Sequence, residues 1–199
     1  GATVENGIIH VRKRRHVVRF SGVAARPVAS LNRDFSAPVT LSAPQSPGDL
    51  FFLAEKDGDA FCRWQAANSL LTEALISAAR QIRGGKRPSF ADRLVGLAGR
   101  TAAEDGLEHA FRALAITLPG EADIARDMGS NIDPDAIFKA REALARAIAA
   151  ACEDVFSDLY SQLDHGHAFS PDASSAGRRA LRNILLDYLA LLPGGVDLA

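Results

Sequence analysis

Short apolar runs rich in β-branched residues alternate with charged residues over the first forty positions of the chain. The runs Ile8-Ile9-His10-Val11 and His16-Val17-Val18-Arg19-Phe20 flank the basic run Arg12-Lys13-Arg14-Arg15. This pattern predicts a strand, a loop of hairpin length and a second strand. Two further strands are predicted at Pro27-Val28-Ala29 and Pro38-Val39-Thr40-Leu41, where a leading proline is typical of a strand start or an edge strand. Four short strands bury little surface, so this β portion needs a neighbour.

Beyond the linker 42–47 the spacing of apolar residues becomes helical. Ser46 is a favourable N-cap, with Pro47 at the first helical position and Asp49 at the third, near the positive end of the helix dipole. A second helix is predicted over 59–82 and ends at Gly84-Gly85. Its apolar stripe comprises Phe61, Trp64, Ala67, Leu71, Ala74, Leu75, Ala78 and Ile82.

Capping signals predict the remaining helices. Ser89 with Asp92 and Thr101 with Glu104 resemble capping boxes, and Asp133-Pro134 is an N-cap followed by proline. The last signal opens the longest helix, which runs to about Leu163, and a final helix stops at Pro193-Gly194-Gly195. The stripe of the longest helix comprises Ile137, Leu144, Ile148, Cys152, Val155, Leu159 and Leu163. That of the final helix comprises Leu181, Ile184, Leu185, Tyr188, Leu189 and Leu192.

These elements predict a mainly α chain with a small N-terminal β portion at 1–44 and an α-helical domain at 45–199. Six or so helices joined by short turns favour stacked antiparallel pairs, as in an α-superhelix or an irregular bundle. The sequence contains no repeat of fixed length, so this expectation rests on the succession of helices alone.

Composition adds few constraints on function. The net charge of −1 gives no overall attraction to nucleic acid or to an anionic membrane. Cys62 and Cys152 lie within apolar helical patterns and are expected to be reduced core residues, which predicts a reducing, cytoplasmic compartment. No apolar run reaches the roughly 18 residues needed to span a bilayer. The chain starts at Gly1 instead of Met; a piece of a longer protein, or removal of the initiator, would leave this start.

The segment Asp164-His165-Gly166-His167 contains the ligand types that zinc prefers. The spacing is permissive and a third ligand is not evident, so a solvated loop is favoured and His165 and His167 are weak metal candidates. The zincin motif His-Glu-x-x-His is absent from the sequence, as is the Gly-x-Ser-x-Gly elbow. The basic run Arg12 to Arg15 is a candidate patch for nucleic acid or an acidic partner, but without interleaved aromatics a hairpin tip is the favoured interpretation. No catalytic or cofactor-binding residue is predicted.

Four stretches of the sequence resemble the bacterial aminopeptidase N family, the zinc-dependent alanyl aminopeptidases of the M1 clan. The stretches are residues 27–39, 59–70, 133–144 and 179–183, and the most specific part is the Phe-Ser-Ala-Pro-Val run at 35–39 with the later Arg63-Trp64-Gln65-Ala66. The resemblance implies that the β portion is the end of an immunoglobulin-like sandwich. It also implies that the helices begin a C-terminal superhelical domain covering an upstream catalytic domain.

The family's zinc motif, substrate-amine motif and oxyanion-stabilising tyrosine have no matching positions here, so no catalytic residue is carried over. The resemblance therefore implies a non-catalytic segment whose partner is the upstream catalytic domain of the same polypeptide, with zinc held by the parent enzyme and none by this chain. Self-association through an incomplete helical end is compatible with this interpretation. The alternative is a free-standing α-helical interaction module.

Overall fold

The computed structural model describes residues 3–5, 8–39, 41–164, 166 and 169–195. Strands β1 (Thr3–Glu5) and β2 (Ile8–His10) pair antiparallel, with Val4 opposite Ile9. A single 3₁₀ turn follows at Arg33–Phe35. The helices of the described chain are α1 (Pro47–Lys56), α2 (Ala60–Arg83), α3 (Asp92–Ala102), α4 (His109–Ile116), α5 (Glu121–Met128), α6 (Pro134–Gln162) and α7 (Ala173–Leu189).

The predicted β portion differs from the observed one. The predicted strand at 8–11 forms as β2, but its partner is β1 and not the run at 16–20. The described residues of 16–20, 27–29 and 38–41 form no strand. A strand is stabilised by a hydrogen-bonded neighbour, and these runs have none within the described chain. Phe20 is accordingly 74% exposed.

Local capping explains where helices α1, α2 and α6 begin. At α1 the Ser46 hydroxyl accepts from the Asp49 amide and the Asp49 carboxylate accepts from the Ser46 amide, which completes a capping box. Asp59 caps α2 and Asp133 caps α6, each by accepting from the amide three residues later. These starts, and the end of α2 at the glycine pair, were predicted correctly.

Other predicted boundaries were wrong. Helix α3 begins at Asp92 after Ala91 and not at Ser89. Thr101 lies in the last turn of α3, so the start predicted there does not exist. Helices α4 and α5 begin after Glu108 and Gly120, neither of which makes a side-chain cap hydrogen bond. Without such a cap the sequence gives little local signal for a helix start.

The helices stack around α6, which packs against α2, α3 and α7, while α1 packs on α2 and α4 on α7. Leu144 and Ile148 of α6 are almost completely buried, as the stripe predicts. Val155 was expected in that stripe but is exposed, and Phe156 is buried in its place. The core-facing stripe of α6 drifts by one residue over this length because 3.6 residues per turn do not match a strict heptad.

Candidate functional site: a polar junction at the start of the helices

The N-terminal segment, residues 8–45, is tied to the first two helices by ion pairs. Arg26 donates to both carboxylate oxygens of Asp49, at 3.1 and 2.8 Å. Asp49 is the residue that completes the capping box of α1, so one carboxylate both starts the helix and holds the segment. These hydrogen bonds, first that from Arg26 and then those from Ser46, lower the pKa of Asp49 to about 2.

A second ion pair lies at the turn between α1 and α2. Arg33 donates to Asp57 at 2.7 Å, and the same oxygen of Asp57 accepts from the Asp59 amide at 2.9 Å. Burial alone would raise the pKa of Asp57, but hydrogen bonds from Ser30, the Asp59 amide and Arg33 outweigh it and the pKa is lowered. Asp57 is therefore ionised at neutral pH and holds the turn through these hydrogen bonds.

Asp59 connects the turn, α2 and the 3₁₀ turn. One carboxylate oxygen accepts from the Cys62 amide at 2.8 Å and caps α2, while the other accepts from the Asp34 amide at 2.9 Å. Burial opposes ionisation, yet these hydrogen bonds lower the pKa of Asp59 to about 2. We call Arg26, Arg33, Asp49, Asp57 and Asp59 the polar junction.

A pocket of about 170 Å³ opens beside the polar junction. Its walls come from the N-terminal segment, α1 and α2. The lining residues include Ser30, Leu31, Cys62, Gln65 and Glu73. The volume is below the roughly 300–1,000 Å³ of sites that enclose drug-sized ligands.

Cys62 in this pocket is a structural thiol. Its Sγ donates to the Leu31 carbonyl at 3.2 Å. Burial, aided by the nearby Asp59 carboxylate, raises the pKa of the Cys62 thiol to about 11. A nucleophilic cysteine needs the opposite shift, so Cys62 is inert at neutral pH. Cys152 is also buried and free, as predicted.

The predicted metal candidates His165 and His167 lie outside the described residues, so that site stays a prediction. The neighbouring Asp164 accepts from Arg182 at 2.7 Å. Within the residues that the structure describes, no group of three or more His, Cys, Asp or Glu side chains is placed to hold a metal ion.

The basic run Arg12 to Arg15 is exposed, but it does not cap a hairpin between the predicted strands. His16 closes it as a turn, because its Nε2 accepts from the Arg12 and Lys13 amides at 2.9 and 2.8 Å. The hairpin-tip prediction was therefore wrong in its geometry.

Sequence reasoning missed the polar junction. Arg26 and Asp49 are separated by 23 residues, and Arg33 and Asp57 by 24. The only available signal was that the stretches 27–39 and 59–70 resemble one family together. That signal indicates that both stretches belong to one family, but it does not indicate which of their side chains form ion pairs.

The fold is that of an immunoglobulin-type β portion tied to stacked, armadillo-type helices. The chain belongs to the family described as "Domain of unknown function (DUF3458_C) ARM repeats", whose model matches residues 47–197. A second model, "Domain of unknown function (DUF3458) Ig-like fold", matches residues 1–44. The predicted fold class is confirmed.

Curated relatives support the predicted resemblance. Aminopeptidase N of Caulobacter vibrioides is 35% identical over 192 residues, which cover 96% of this chain and 22% of that protein. Aminopeptidase N of Escherichia coli is 29% identical over 185 residues, covering 93% and 21%. The chain thus spans about a fifth of the length of these relatives, and the resemblance to aminopeptidase N is confirmed.

A solved structure shows the same fold. The crystal structure of Legionella pneumophila aminopeptidase A in complex with aspartic acid matches 87% of this chain and 20% of that chain, with a TM-score of 0.73 and 23% identity. At this identity the likeness concerns the fold alone. Among the described helices, none is both long and apolar enough to cross a membrane.

Proposed function

We propose that this chain is a non-catalytic structural segment of a zinc aminopeptidase and helps to cap and enclose its catalytic domain. The observation that carries the proposal is that more than nine-tenths of the chain aligns with about a fifth of proteins named aminopeptidase N. The β portion at 1–44 is then the end of an immunoglobulin-like domain, and 45–199 is part of a helical domain.

Zinc belongs, in this proposal, to the parent enzyme and not to this chain. In such hydrolases the metal polarises the scissile carbonyl and activates water. A structural or catalytic zinc site needs three or four protein ligands, and the described residues offer no such group. No step of the reaction is therefore assigned to these residues. Their contribution is to restrict access to the catalytic domain and to exclude bulk water from it.

The partner of this chain is the upstream catalytic domain of the same polypeptide. The N-terminal segment presents exposed apolar side chains, such as Val11, Val17 and Phe20, of a kind that a neighbouring domain would cover. The polar junction anchors this segment to α1 and α2, so a domain docked on the segment is held in a fixed relation to the helices. Buried free thiols at Cys62 and Cys152 suit a hydrolase of the cytoplasm.

The proposal is tested by activity and by the coding sequence. The 199-residue chain is incubated with zinc and alanyl p-nitroanilide, and we expect no zinc-dependent hydrolysis, whereas the protein encoded by the complete reading frame hydrolyses the substrate. Turnover by the chain that a chelator abolishes would refute the assignment.

The reading frame separates this function from the alternative. We expect it to encode a His-Glu-x-x-His motif upstream of Gly1. A frame that begins and ends at these termini would favour the free-standing interaction module instead.

A further inference from the structure

The C-terminal end of α2 forms one wall of a second pocket, with a volume of about 420 Å³. Arg80 and Arg83 of α2 and the following Gly84 line one side, and Met128, Ser130 and Asn131 line the other from the end of α5 and the following loop. The pocket is a depression open to solvent, because Met128 is buried and the other five lining residues are exposed.

The pocket is lined with hydrogen-bond donors. Arg80 and Arg83 are three positions apart and share one face of the helix. Arg83 uses one nitrogen, Nη1, to donate to the Asn131 carbonyl at 2.5 Å, which leaves its other N–H groups available. The Arg80 guanidinium and the Ser130 and Asn131 side chains have no hydrogen-bond partner within the described chain. None of the six lining residues carries a carboxylate.

Three backbone carbonyls at this helix end already accept hydrogen bonds, which reduces their repulsion of an anion. A helix C-terminus normally carries partial negative charge on free carbonyl groups. Here the carbonyls of Arg80, Gln81 and Ile82 accept hydrogen bonds of 2.9 to 3.1 Å from the amides of residues 84–86. Gly85, at φ +72°, permits this reversal of the chain. Two arginines therefore face the pocket without a compensating charge among its lining residues.

Arginine near a helix C-terminus is also favoured by the helix dipole alone. The dipole explains why basic residues occur at this end of α2, but it does not explain a cavity on that side or the polar donors of the facing loop. The positive φ of Asn131, 55°, shows that this loop adopts an uncommon backbone conformation where its carbonyl meets Arg83.

We propose that this pocket binds a small anion bearing several oxygens, a carboxylate or a phosphate. Arg80 and the free N–H groups of Arg83 supply charge-assisted hydrogen bonds, for which the planar guanidinium is well suited. Ser130 and Asn131 donate further hydrogen bonds, and Met128 provides an apolar wall. The site is independent of the structural role proposed above.

The test is a titration of the ¹⁵N-labelled 199-residue chain with inorganic phosphate and, separately, with succinate, each against sodium chloride at matched ionic strength. We expect saturable shifts of the amide signals of Arg83, Gly84, Ser130 and Asn131. Saturation by phosphate alone identifies a phosphate-bearing ligand, saturation by succinate alone a carboxylate, and saturation by both an unselective oxyanion site. The absence of a saturable shift with either probe overturns the proposal.

Three variants show whether the pocket is responsible. Arg80→Gln removes an exposed side chain that has no partner in the described chain, so the fold should be unchanged, and affinity should fall about tenfold or more. Arg14→Gln removes an equally exposed arginine from the basic run and should leave affinity unchanged. Ser130→Ala, which keeps both arginines, should weaken binding a few-fold. Equal losses in Arg80→Gln and Arg14→Gln would indicate general charge attraction and overturn the site.

Discussion

The hydroxyl of Tyr188 donates a 2.6 Å hydrogen bond to the carbonyl of Ile116, 72 residues earlier in the chain. This contact links α7 to the last residue of α4, whose carbonyl has no partner within its own helix. The Tyr188 ring also packs on Phe156 of α6, with centroids 5.4 Å apart. One side chain thus connects three helices of the stack.

Replacing Tyr188 with Phe should destabilise the protein by about 1 to 3 kcal/mol. The ring contacts remain, but the Ile116 carbonyl stays buried without a donor. Urea unfolding of the two proteins measures the difference. Tyr160→Phe is the control, because the Tyr160 ring is half-buried under the Arg182 guanidinium and its hydroxyl makes no hydrogen bond within the described chain. Equal effects of the two substitutions would contradict the role assigned to the Tyr188 hydroxyl.

Two glycines in equivalent helical positions should respond differently to replacement by alanine. Gly177 and Gly96 are each the fifth residue of their helix. A Cβ at Gly177 would lie 2.9 Å from the backbone nitrogen of Ala110 in α4, which cannot move aside, whereas a Cβ at Gly96 would meet only the flexible end of Arg100. The clash costs about 1–3 kcal/mol and the gain in helix propensity is about 1 kcal/mol.

We therefore expect Gly177→Ala to lower the melting temperature and Gly96→Ala to raise it or leave it unchanged. The melting temperatures of both variants are measured by thermal unfolding monitored with circular dichroism. A melting temperature for Gly177→Ala at or above that of the parent chain would show that α4 and α7 do not approach each other this closely.

The polar junction should make stability depend on pH in the acid range. The folded-state pKa of Asp49, about 2, lies below its ordinary value of 3.8. Its contribution to stability is therefore fully present above about pH 3.8 and is lost as the pH falls toward 2. Between pH 3.8 and pH 2, the urea concentration at the midpoint of unfolding should fall less in Asp49→Asn than in the unsubstituted chain. Asp158→Asn, at an exposed position of α6, should retain the parent slope. A steep, unchanged slope in Asp49→Asn would contradict this assignment.

How far the fold followed from the sequence depends on how local each signal is. The starts of α1, α2 and α6 were predictable because Ser46, Asp59 and Asp133 each bond to an amide three residues away. Residues in the predicted strands carry β propensity, but a strand also requires a partner, and propensity does not supply one. Local preference therefore located helices better than strands.

The candidate sites were not predictable in the same way. Gly84-Gly85 was recognised as a helix stop, yet the anion pocket also needs the Ser130 loop, which folding brings to the end of α2. The ion pairs of the polar junction likewise join charged residues that look like ordinary surface positions in the sequence. Pairing between distant elements is set by tertiary packing. The spacing of apolar residues along a single sequence indicates secondary structure but not which distant side chains meet.

The two cysteines should be unreactive in the folded protein. Both thiols are buried, and burial raises the pKa of Cys62 to about 11 and also raises that of Cys152, so little thiolate forms at pH 8. A disulfide reagent such as dithionitrobenzoate should therefore react with neither thiol in buffer and with both in urea. In Cys62→Ser, the number of thiols that react in urea should fall from two per chain to one. The number that react in buffer should stay near zero. Rapid reaction of the native chain, lost in Cys62→Ser, would instead show that the pocket beside the polar junction opens to admit the reagent.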